Sequence, residues 1–167
     1  MSPLLGPALH ILTEPDHLVA CFAIGLLAGQ RNGRDIGWLL SAFITGFVVA
    51  FCAAAFTRFA AFESIDAFAA AGTLIVAGLL VAIPRIARFP LAVLVAAATG
   101  AIHGFANGLA AASLLAVFGA GGAAALIAVF GAVIGWLFRA PWGLIAVRVL
   151  GSWTAAMGLI LFGIALR

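Results

Sequence analysis

Residues 36–57 read Ile36-Gly-Trp-Leu-Leu-Ser-Ala-Phe-Ile-Thr-Gly-Phe-Val-Val-Ala-Phe-Cys-Ala-Ala-Ala-Phe-Thr57 and contain no charged side chain. A helix crossing the hydrocarbon core of a bilayer needs about 20 consecutive apolar residues, and this run supplies them. Outward from it, charged or proline-marked breaks divide the chain into stretches of similar length at 16–31, 64–83, 90–112, 118–138 and 143–166. The pattern predicts an all-α, polytopic transmembrane helix bundle of about six helices, forming a single transmembrane domain over 1–167. The fourth and fifth stretches are separated only by Gly119 to Gly122, so five helices is the alternative count.

Composition supports the same solvent. Hydrophobic residues make up 66% of the chain and charged residues 8%, whereas soluble domains run at about 45–50% and 25%. A small soluble domain remains mostly surface and has nowhere to put so much apolar area, so the principal partner is the lipid bilayer. All eight basic residues are arginines, scattered singly from Arg31 to Arg167. A nucleic-acid binder would gather them on one face or tail, and that class is excluded. Cys21 and Cys52 both sit in apolar runs, where free cysteine behaves as a small hydrophobe. Met1 to Leu12 carry no Lys or Arg and run directly into Glu14-Pro15-Asp16-His17, so no separable signal peptide is expected.

Arginine bias in short loops sets orientation. Arg31, Arg34, Arg85, Arg88, Arg139 and Arg148 fall at one set of helix ends, and only Arg58 and Arg167 at the other. The first set is assigned to the cytoplasm, which places both termini outside it. On that outer side this topology gathers His10, Glu14, Asp16 and His17 at the start of the first helix and Glu63 and Asp66 before the third. His103 in the fourth helix joins them in the outer half of the membrane, while Asp35 alone among the acidic residues lies on the inner side. Ionisable groups at membrane depth are rare and usually functional.

Two stretches could carry chemistry. His10-Ile-Leu-Thr-Glu-Pro-Asp16-His17 holds two imidazoles and a carboxylate. Pro15 favours a break in the helix there, and transporters build ion sites from broken helices. Imidazole with carboxylate suits nickel, cobalt, zinc or copper better than magnesium or calcium. The plainer alternative is that Asp16 caps a helix and the histidines are interfacial. In Gly100-Ala-Ile-His103-Gly104-Phe-Ala-Asn107-Gly108 the glycines repeat every fourth residue, which lets a neighbouring backbone approach closely. The first helix is the expected neighbour. His103 and Asn107 repeat on the adjacent face and could equally serve packing alone. Glu63 and Asp66 would share a helix face, or are solvated charges at a helix start. Gly25/Gly29 and Gly131/Gly135 read as packing pairs, and Trp38, Trp136 and Trp142 as interfacial anchors.

His10-x5-Asp16-His17, running into Gly25-Leu-Leu-Ala-Gly29-Gln30, resembles the first-helix signature of the HupE/UreJ family. His103-Gly104-Phe105-Ala106 resembles the start of that family's second motif, His-Gly-x-Ala-His-Gly-x-Glu, and Glu63 falls where the family tends to carry an acidic residue. The resemblance spans most of the chain and implies a secondary permease for nickel or cobalt in the bacterial inner membrane, not an enzyme. Carried over residue by residue, it implies that His10, Asp16 and His17 capture the metal, that His103 with Asn107 passes it on, and that Glu63 helps attract it. The chain departs from the second motif at Asn107, where the family has His, and at Ala110, where it has Glu. Those departures leave open a second class, an accessory subunit of a larger membrane complex or homo-oligomer that has kept the fold and lost transport. A third is haem binding with His17 and His103 as axial ligands.

Overall fold

The computed structural model describes residues 2–57, 63–110 and 113–167; within these, the side chains of 57, 63–66 and 114 lie outside the described set. Seven α-helices follow one another, with no strand among the described residues: α1 (Leu5–Thr13), α2 (Pro15–Gly29), α3 (Gly33–Thr57), α4 (Glu63–Ala82), α5 (Phe89–Ala110), α6 (Leu114–Leu137) and α7 (Pro141–Ala165). α3, α5, α6 and α7 are each long and apolar enough to cross a membrane, and so are α1 and α2 taken together, a pair bent by 80° at the break between them. α4 contributes a shorter apolar stretch, Ala67–Ala82. The chain is therefore a helical membrane bundle. Its outer surface fits a lipid solvent: Phe56, Phe118, Leu126, Trp142 and Trp153 are exposed, whereas the soluble pattern would bury them.

The bend follows from Pro15. A proline disfavours helical backbone at the residue before it, and Glu14 is extended at φ −84°, ψ 114°. Proline itself fits the first position of a helix, where its missing N–H costs nothing. So α1 closes with the Glu14 N–H on the His10 carbonyl (2.9 Å), and α2 opens with the Leu18 N–H on the Glu14 carbonyl (3.1 Å).

Glycines set how the helices pair. A Cβ on Gly25 or Gly29 of α2 would run into the backbone of α6 at Ala128 and Ala132, and Gly131 and Gly135 face back onto Phe22 and Leu26. Numbers rise together along the contact, so α2 and α6 are parallel. Gly100, Gly104 and Gly108 of α5 likewise lie on the carbonyls of Phe43, Phe47 and Phe51 of α3, again in parallel. Gly78 on α4 meets Gly151 and Ala155 on α7, and Gly158 meets Ala71 and Ile75, an antiparallel pair. The neighbour of the α5 glycine stripe is thus α3, not the first helix as the sequence suggested. The stripe and the His103–Asn107 face point in different directions, and it is the polar face that meets α2.

The break between the fourth and fifth predicted helices also moves. α6 begins at Leu114 after an extended Ser113 (φ −154°, ψ 155°), so Gly119 to Gly122 lie inside it. Gly119 has a packing role there, seating the carbonyl of Leu4 at the start of α1.

The opposite end of the bundle is tied by polar side chains on backbone carbonyls. Gln30 donates to Val81 O (3.1 Å) at the end of α4 and Arg139 to Gly29 O (3.1 Å) at the end of α2. Arg139 also donates to Arg31 O, and Arg31 to Ala87 O before α5. Cations at helix C-termini meet both orphan carbonyls and the negative end of the helix dipole. Arg139, read from sequence as a topology marker, is also a cap, and Arg31 ties the end of α2 to the loop before α5.

These contacts rank the glycines. Gly104→Ala should place a Cβ against the Phe47 carbonyl and lower stability by roughly 1–3 kcal/mol, while Gly72→Ala, with nothing within 4 Å of the added Cβ, should be near neutral. Thermal unfolding of the two variants in detergent compares them directly, and equal effects would contradict the packing described.

Candidate metal centre

The bend at Pro15 brings the two ends of the first motif together. His10, in the last turn of α1, stacks edge-on against His17 at a ring separation of 5.2 Å, and Asp16 Oδ2 lies 3.8 Å from His17 Nδ1. α5 supplies His103 and Asn107, one turn apart and both buried, and α4 supplies Thr73. His17 Nδ1 meets His103 Nδ1 at 2.7 Å, His103 Nε2 lies 3.2 Å from Thr73 Oγ1, and Asn107 Nδ2 lies 3.3 Å from His17 Nε2.

Donor counting fixes the tautomers. The Thr73 hydroxyl donates to Ala70 O at 2.7 Å, so it can only accept from His103, which makes His103 the Nε2–H tautomer. Its Nδ1 is then an acceptor, and His17 must donate from Nδ1–H. His17 Nε2 in turn accepts from Asn107 Nδ2, whose second hydrogen goes to His103 O at 2.8 Å. One unbroken chain of donors therefore runs from Asn107 through His17, His103 and Thr73 to Ala70. Each member is satisfied, as a low-dielectric site requires. Two nitrogens 2.7 Å apart are hydrogen-bonded directly to each other, an arrangement without space for a porphyrin between them.

One nitrogen from each of His17 and His103 and one carboxylate oxygen of Asp16 all lie within 4.8 Å of one another, a spacing that could hold a metal ion. Two openings flank the bend. One, of about 260 Å³, is lined by His10, Asn107, Ala110, Gly6 and Pro7. The other, of about 400 Å³, carries Glu14 and Asp16 beside Ala70 and Met157. His10 stands at the mouth, its side chain 45% exposed and 3.9 Å from Glu14.

Of the residues singled out from sequence, His10, Asp16, His17, His103 and Asn107 come together. The side chain of Glu63, like that of Asp66, lies outside the described residues. Thr73 was not anticipated. Nothing in its sequence context marks it, because its role depends on the register of α4 against α5.

The chain is, by fold and buried polar centre, a multi-pass helical membrane protein with a histidine-based site where a bent helix meets a straight one. The HupE / UreJ protein family matches residues 2–161, so the chain belongs to that family. Its members are membrane proteins associated with nickel and cobalt transport rather than enzymes. No curated protein and no solved structure matches the chain.

The donor chain makes a testable claim about Thr73. Thr73→Val would leave the His103 Nε2–H buried without an acceptor, at a cost of about 1–3 kcal/mol. Thr154→Val removes a hydroxyl that only returns to its own helix at Leu150 O (2.9 Å) and should cost clearly less. Denaturation midpoints of the pair in detergent check the difference.

Proposed function

We propose that this protein is a secondary permease for a divalent transition metal, nickel or cobalt, with His17, His103 and Asp16 as the principal ligands. The observation that carries the reading is the 2.7 Å approach of two imidazole nitrogens inside the bundle with a carboxylate beside them. Two nitrogens bound at about 2.1 Å to one ion and at right angles stand roughly 3 Å apart, close to the present spacing, so the pair admits the metal once the hydrogen between them leaves and both rings turn their lone pairs toward it.

Imidazole ligates through one nitrogen and donates the other N–H to a fixed partner. His103 already does so, through Nε2–H to Thr73. His17 must move its hydrogen from Nδ1 to Nε2, and Asn107 can answer by turning its amide oxygen toward that nitrogen. This assigns Asn107 to holding His17 rather than to ligating the metal, at the position where the family motif has an imidazole. Glu14 and Asp16 at one opening and His10 at the other draw the cation in, with Glu63 adding charge on the same side. The arginine end faces the cytoplasm and both termini lie outside it, in a bacterial inner membrane. Movement is down a gradient or coupled to another ion.

The completeness of the donor chain favours a second reading, an accessory subunit in which the same polar groups tie α2, α4 and α5 together. Nickel binding by equilibrium dialysis and uptake into vesicles separate the two. A permease loses both binding and uptake in His17→Ala, weakens binding about 10–100-fold in Asn107→Leu, and binds nickel more tightly in Asn107→His. Uptake unchanged in His17→Ala would leave the accessory reading.

A further inference from the structure

We propose that Cys21 and Thr99 form a second cation-binding layer one helical turn beyond the histidine pair, through which the metal passes toward the arginine end of the bundle. The proposal rests on the permease reading above and extends its path.

α2 and α5 run in opposite directions, since the C-terminal end of α2 and the N-terminal end of α5 are tied together by Arg31 on Ala87 O. They meet at His17 and His103. Four residues onward in α2 is Cys21, and four residues back in α5 is Thr99. A step of four residues returns a side chain to nearly the same helix face, about 6 Å along the axis. The register thus sets a thiol and a hydroxyl in the next layer inward from the imidazoles. Both residues are fully buried, at 0% exposure.

Thr99 supplies the independent observation. Its Oγ1 is buried with no hydrogen-bond partner among the described residues. The other buried threonines return their hydroxyls to their own helices, Thr73 to Ala70 O and Thr154 to Leu150 O. An orphaned hydroxyl in a fully buried layer calls for a partner. Cys21 belongs to no disulfide, and sulfur favours the softer transition metals over magnesium or calcium. The thiol binds as thiolate, its proton leaving to solvent as the metal arrives. Between His17 and Gln30 α2 carries no other side-chain donor, and from Phe89 to His103 α5 carries none but Thr99. A cation leaving the histidine pair toward the arginine end therefore has only these two side chains on the facing helices to replace its ligands.

The test is a cobalt(II) titration of the purified full chain in detergent, reading near-ultraviolet sulfur-to-cobalt charge transfer and, by equilibrium dialysis, total bound metal. The wild type should develop the sulfur band. Cys21→Ala should lose it while still binding cobalt at the histidine pair, and Cys52→Ala should keep it. Thr99→Val should keep the band with several-fold weaker saturation. Cys21→Ser gives the same readout if the alanine variant does not fold. Cobalt bound without a sulfur band in the wild type, or a band that persists in Cys21→Ala, overturns the proposal. His17→Ala judges the permease reading separately: unchanged total cobalt there sinks that reading, whatever the band shows for Cys21.

Discussion

The contact between the His17 and His103 imidazoles is the constraint around which the rest of the bundle is arranged. In a hydrocarbon solvent no water stands ready to satisfy a stray N–H, so two facing imidazoles are tolerable only if every polar hydrogen they carry has a home. His103 accepts the His17 hydrogen and Thr73, on a third helix, accepts that of His103, while Asn107, on the same helix as His103, donates to the remaining nitrogen of His17. The polar centre consequently demands correct register among α2, α4 and α5 together. Glycine approaches hold that register: α5 is fixed on α3, α2 on α6 and α4 on α7. Each of the three helices that builds the site is thus held from outside by one that does not supply it.

The bend between α1 and α2 does a different task. Without it, His10 and His17 would lie about 10 Å apart along one helix axis. Turned through 80°, α1 brings the His10 ring against His17 and leaves pockets on both sides of the corner. Ala110 lines one of these pockets where the family motif has a glutamate, so the departure from that motif leaves space at the mouth of the site. The other departure, Asn107, is not idle, because it supplies the donor that completes the chain at His17 Nε2.

Much of this was legible before any coordinates. Hydropathy gave the helices because lipid-facing and buried surfaces are both apolar, so nearly every residue of a span reports the same thing. Pro15 gave the break and the His10–His17 stretch gave one half of the site, since both are local signals. The partner of the α5 glycine stripe was not legible: Gly100, Gly104 and Gly108 say that something packs closely there, but not whether it is α2 or α3. Thr73 was hidden for the same reason, being an ordinary threonine until α4 is docked beside His103. Gly119 to Gly122 misled because glycine punctuates loops in soluble chains yet packs helices in membranes. The cap formed by Arg139 and the tie formed by Arg31 were visible only as charges.

X-ray absorption at the nickel edge of the wild-type protein, loaded with a single equivalent of metal, addresses the central claim most directly. Coordination by His17 and His103 requires the outer-shell scattering of two imidazole rings together with first-shell oxygen or nitrogen ligands. A spectrum showing that imidazole pattern supports the account. A first shell of oxygen alone, with no imidazole scattering, would mean that the histidine pair is a structural tie and that the metal binds elsewhere.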